Sequence, residues 1–90
     1  MSVFADARYA DPLRDATTDL IEEFSSGVPA GKVIGAVGRA KNHVRSGYDV
    51  LQFGAPPPDE YVSLIVGLAR QELSELVGPV IRRGRALGVG

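Results

Sequence analysis

Apolar residues recur three and four positions apart in three separate runs of this chain, the period of a helix face. In the first run Leu13, Ala16, Thr17, Leu20 and Phe24 share one side, while Asp15, Asp19, Glu22 and Glu23 take the other. Asp11 followed by Pro12 supplies an N-cap and a proline at the first helical position, and Gly27 with Pro29 supplies a stop. The spacing predicts a helix over residues 12–26, apolar on one face and acidic on the other.

The second run predicts a helix over residues 30–46, with Val33, Val37, Ala40 and Val44 as its apolar stripe and Gly47 at its end. On a wheel of about 100° per residue, Gly31, Gly35, Gly38 and Asn42 gather on the side away from that stripe. Each interior glycine costs a helix roughly 0.5–1 kcal/mol against alanine. A row of them marks a face that another helix can approach closely, because no side chains hold the two axes apart.

The third run comes after Pro56-Pro57-Pro58, opens with Asp59 and Glu60 at the positive end of the helix dipole, and meets Gly78-Pro79. It predicts a helix over residues 59–77 whose apolar residues, from Tyr61 through Val77, cover more than half the wheel. One neighbour cannot cover that width. Val62, Val66, Leu73 and Val77 are therefore expected to stay partly wet in a lone chain and to contact a second subunit, with Gly31, Gly35 and Gly38 as the matching close-approach face.

Between the second and third helices, residues 48–53 are too short and mixed to assign, and the three prolines hold the linker after them extended. Residues 1–10 read as an N-terminal arm and residues 79–90, with Arg82, Arg83 and Arg85, as a flexible basic tail. The resulting expectation is an all-α three-helix bundle occupying residues 11–78.

Charge changes that picture by giving the helices signs. Residues 1–23 sum to −4, residues 24–48 to +4, residues 49–75 to −4 and residues 76–90 to +3, which recovers the net charge of −1. Blocks of opposite sign orient the surfaces that meet, and the expectation is an acidic first helix laid on a basic second one.

Ninety residues make one small domain, in which folding hides only about 60–65% of the unfolded surface. With no cysteine and one histidine, neither a disulfide framework nor a cysteine-based zinc site is available, so association is the remaining route to more buried area. Met1 to Asp6 carries no basic and apolar leader pattern, and the longest apolar stretch, 61–69, is about half of the roughly 20 residues a membrane span needs. A cytoplasmic protein that does not engage a membrane is expected.

Candidate chemistry is sparse. Gly27-Val28-Pro29-Ala30-Gly31-Lys32 lacks the phosphate-loop spacing, is followed by Val33 rather than serine or threonine, and has lost an amide to proline. His43 has no thiol to activate, the serines sit in no nucleophile elbow, and the adjacent carboxylates of Glu22-Glu23 and Asp59-Glu60 diverge by about 100° on a helix. No enzyme activity and no cofactor or metal are expected. The second helix has a further reading as a nucleic-acid contact, with Lys32, Arg39, Lys41, His43 and Arg45 on phosphates and Asn42 on a base edge. The sequence pI of about 5.7 argues against it.

Leu20-Ile21-Glu22-Glu23-Phe24, Val28-Pro29, Val33 with Val37, and Leu68-Ala69-Arg70-Gln71-Glu72-Leu73 together resemble the three-helix-bundle dimerisation domain of actinobacteria. That domain occurs alone or joined to low-molecular-weight phosphatase or arsenate-reductase-like domains. The likeness spans residues 13–77; the proline linker and Gly35 and Gly38 depart from it. It implies a homodimerising accessory domain with no active site. The sequence reading is thus a protein–protein interaction module, a homodimer first and a binder of another protein's helix second, with a helix-turn-helix-like DNA-binding accessory protein as the alternative.

Overall fold

Asp6, not Asp11, starts the first helix. In the computed structural model, which describes residues 6–89 and their side chains as far as residue 77, α1 spans Ala7–Glu23 and Pro12 lies inside it. The Asp6 carboxylate accepts from the Arg8 amide at 3.0 Å, and the Tyr9 amide donates to the Asp6 carbonyl at 3.0 Å. Pro12 deletes one backbone donor, which alone favours a start at that residue. Tertiary contacts one turn earlier outweigh it. Tyr9 is 1% exposed, its ring meets that of Tyr61 edge-on at 4.8 Å, and its hydroxyl donates to the Pro56 carbonyl at 2.6 Å. Residues 7–10 of the expected arm are therefore helix, and residues 1–5 lie outside the described residues.

After Glu23 the chain turns, with the Val28 amide donating to the Phe24 carbonyl at 2.8 Å, and α2 comes next over Ala30–Gly47. Pro29 is its N-cap, and its buried face holds Val33, Val37, Ala40 and Val44, as the apolar spacing predicts, together with Ala36. The unassigned segment holds a single helical turn, α3, over Val50–Phe53. Asp49 opens it by accepting from the Gln52 amide at 3.0 Å, and Gly54 closes it at φ 74°, a left-handed conformation that glycine adopts without steric cost. Pro56 is fully buried.

The last helix, α4, spans Pro58–Val89 and does not stop at Gly78-Pro79. Pro79 removes one amide of a 32-residue ladder, and the bonded turns on both sides carry the helix across the gap. The expected flexible tail is thus helical as far as Val89. At 1.5 Å per residue α4 is about 48 Å long, against about 26 Å for α1 and α2. The length of α4 accounts for most of the 55 Å long axis of a molecule only 23 by 17 Å across.

The described residues form an all-α bundle without strands. Tyr61, Ile65, Ala69 and Leu73, four apart on α4, are all 0% exposed and form its spine. Against them pack the buried face of α2, Leu20 and Tyr9 of α1, and Val28 of the connecting turn. The breadth of the apolar face on α4 is met by two neighbours at once, since α1 and α2 each pack more closely on α4 than on one another. Leu73, expected at an intersubunit face, is accordingly core, and Val66 and Val77 pack against that core.

Charge pairing has the same layout. Arg70 of α4 donates to both carboxylate oxygens of Glu23 on α1, at 3.0 and 2.9 Å. Arg39 of α2 makes the equivalent two-pronged contact with Glu72 of α4. Among the described residues no ion pair joins α1 to α2, so α4 supplies one partner of each sign in place of the expected contact between the first two helices.

Candidate interaction surfaces

The residues expected at a subunit interface separate into three environments. Leu73 is inside the bundle; Val62, Val66 and Val77 are half-buried along α4; Gly31 and Gly38 are exposed on α2. A Cβ added at Gly31 or Gly38 would meet nothing within 4 Å, whereas one at Gly35 would meet the Arg39 guanidinium at 3.4 Å. No helix of the described chain approaches that face closely. The glycine row is open surface rather than a packing seam within the molecule.

The six residues of the nucleic-acid reading do not converge. Lys32, Arg39, Asn42, His43 and Arg45 are exposed and Lys41 is half-buried. By helical register Lys32, Arg39 and His43 lie on one flank of α2, Arg45 and Lys41 on the other, with Lys41 and His43 about 160° apart. Arg39 is also neutralised by Glu72. Two-pronged hydrogen bonding to guanidinium holds the carboxyls of Glu72 and Glu23 below the ordinary carboxylate range, and the same contacts raise Arg39 and Arg70. Burial pushes the Tyr61 phenol above its usual range, with Arg45 opposing in part.

Periodicity gave no warning of the apolar residues the fold leaves on its surface. Ile34 is 56% exposed, Leu51 100%, Phe53 67%, Leu64 44% and Leu76 52%. Leu51 and Phe53 belong to the single turn of α3, which is too short to show a period. Leu76 continues the line of Ala69 and Leu73 on α4, but it stands at the end of the bundle, beside the α1–α2 turn. There Gly27, Val28, Pro29 and Lys32 line a hollow of about 270 Å³ with Leu76 and Val77. The signal available in the sequence was the length of the third apolar run relative to the first two.

A second hollow, of about 330 Å³, opens between α2 and α4. Ala36, Ala40 and Leu68 contribute its apolar surface, and Arg39, His43, Gln71, Glu72 and Glu75 its polar one. It contains no serine, threonine or cysteine to act as a nucleophile, and Glu72 is held by Arg39. Among the described residues no group of three or more His, Cys, Asp or Glu is placed to hold a metal ion, and no helix is long and apolar enough to cross a membrane. Comparison with protein-family models, curated proteins and solved structures finds no match to the chain.

Proposed function

We propose that this chain is a non-catalytic helical interaction module whose first partner is a second copy of itself. The observation that carries the reading is the set of large apolar side chains outside the core: Ile34, Leu51, Phe53, Leu64 and Leu76 are all at least 44% exposed in a protein of 9.5 kDa. Covering such surface is favourable by roughly 25 cal/mol per Å², and a small domain has few other ways to gain buried area. The hollow between α2 and α4 offers ion-pairing groups and the hollow at Leu76 an apolar lining, which supports association.

Docking of another protein's helix belongs to the same reading, since it would use the same apolar surface. The nucleic-acid alternative has less behind it, because its cations lie on two flanks of α2 and acids of α4 border one of them. Sedimentation velocity over a concentration series is the direct test. A mass rising from one chain toward two is expected, weakened only modestly by salt because apolar burial supplies most of the drive. A single monomeric species at every concentration would remove the proposal, and retention on heparin that falls steeply with salt would favour the alternative.

A further inference from the structure

We propose that the α1–α2 face of the molecule, the side turned away from α4, packs on the same face of a second copy, with α1 of each chain lying antiparallel on α2 of the other. This rests on the self-association reading and gives it an address. Unpaired charge leads there first. Among the described residues Lys32, Lys41 and Arg45 are the cations without an ion pair, and all three are on α2. On α1 the acids Asp15, Asp19 and Glu22 are exposed and likewise make none among the described residues. The acidic and basic helices of one chain are neighbours that do not pair with each other, so their complementarity is open to another chain.

Register adds an apolar strip. Glu23 reaches Arg70 and Arg39 reaches Glu72, which marks the flanks of α1 and α2 that face α4. At about 100° per residue, the opposite flanks hold Thr17 and Ile21 on α1 and Ile34, Lys41 and Arg45 on α2. Because α1 ends at Glu23 and α2 begins at Ala30, Ile21 and Ile34 stand within about 3 Å of level across the seam. Ile21 is half-buried and Ile34 is exposed. One heptad past Lys41, Tyr48 continues the flank to the C-cap of α2, and the exposed Phe53 ring meets it edge-on at 6.3 Å. The strip thus takes in two of the large apolar side chains outside the core, and α3 brings Leu51 to the same end.

Two symmetric arrangements can close this face on itself. A two-fold axis perpendicular to the helices would set α1 on α1 and α2 on α2, acid against acid and cation against cation. An axis parallel to them sets α1 on α2 twice, puts the isoleucines of both copies beside the axis and gathers both α3 turns at one end. Charge selects the parallel axis. That axis keeps every residue at its own level, so Lys32 of one copy comes within about 1.5 Å of level with Glu22 of the other, and Lys41 within about 4.5 Å of level with Asp15. Gly38 lies beneath the incoming α1. Gly38→Ala therefore favours the helix of a dilute monomer, where its Cβ meets open space, and crowds the second copy once the dimer forms.

A charge-reversal cycle in the full chain, read by sedimentation, tests this. Glu22→Lys and Lys32→Glu each create two like-charge contacts across the axis, and the double variant restores two attractive ones with the signs exchanged. Each single variant is expected to weaken dimerisation by about tenfold at low salt, and the double variant to recover most of the loss. Ile34→Ser removes an isoleucine from each side of the axis and should weaken it by about thirtyfold, whereas Leu64→Ser, an exposed apolar position on α4, should leave it within about twofold. All four positions are exposed, so helicity at 222 nm should stay at the wild-type value. Should a variant lower it, orientation is still read by cross-linking, because the chain has no cysteine of its own. Glu22→Cys and Lys32→Cys chains, mixed and treated with a short bismaleimide, should join position 22 to position 32 in preference to 22 to 22 or 32 to 32. Like-with-like links, or a dimer that neither the reversals nor Ile34→Ser weakens, would overturn this face while leaving self-association in place. A wild-type chain that stays monomeric throughout would overturn both.

Discussion

Tyr9→Phe keeps a ring against Tyr61 and removes the hydroxyl that reaches the Pro56 carbonyl, so it probes a hydrogen bond between residues 47 apart in sequence. The bond is 2.6 Å long and buried at both ends, with Tyr9 1% exposed and Pro56 among the fully buried residues. A net intramolecular hydrogen bond contributes about 0.5–1.5 kcal/mol, and an acceptor left buried without a donor costs about 1–3 kcal/mol. The phenylalanine is itself well accommodated where the tyrosine ring sat. Unfolding free energy should therefore fall by about 1–3 kcal/mol, which in a domain of this size lowers Tm by about 5–15 °C. Urea unfolding followed by circular dichroism measures this, with an unchanged m-value showing that the native state has kept its buried surface. Tyr9→Ala sets the scale, since it also empties the ring's site and should cost about 3–5 kcal/mol. A Tyr9→Phe chain melting within about 2 °C of wild type would refute the reasoning and imply that water serves Pro56 equally well.

Gly38→Ala should stabilise the chain by about 0.5–1 kcal/mol, because the position is mid-helix and a Cβ there meets open space; a lowered Tm would mean that something occupies that face. The Arg-paired carboxyls make a small part of the stability depend on pH in the acid range. Glu23 and Glu72 are depressed below their ordinary 4.5 in the folded chain, so their contribution is present above about pH 4.5 and fades as pH falls through the lower folded-state values. The stability slope below pH 4.5 should flatten in the Glu23→Gln, Glu72→Gln double variant; a slope that is the same in both proteins would mean other acids carry it.

How much of the fold was legible in the sequence depends on what a repeat can encode. Val33, Val37, Ala40 and Val44 announce α2 and its inward face, and Pro29 fixes its start, because both are local facts about a helix. The two misplaced boundaries share one cause. Asp11-Pro12 and Gly78-Pro79 are strong local punctuation, each overridden by something local pattern cannot carry: the burial of Tyr9 forty-seven residues from Pro56, and the continuity of a long ladder on both sides of one missing amide. The candidate surface suffered in the same way. Periodicity identified α4 as broadly apolar, yet whether Leu73 meets another chain or α1 and α2 depends on how many neighbours the fold supplies. Leu51, Phe53 and Leu76 were silent because exposure at an end or in a single turn leaves no period to read.

The central position of α4 has a consequence for how the chain reaches its shape during synthesis. The spine that α1 and α2 lean on is translated after both of them, and the contacts that anchor it and its entry at Pro56 reach back 33 and 47 residues, to Arg39, to Glu23 and to Tyr9. At about 5–20 residues per second, a nascent chain carries its first two helices for seconds before the residues that complete their core have been made. Until then they are an amphipathic hairpin with its oily side uncovered, so the core closes in a single late event rather than a progressive one.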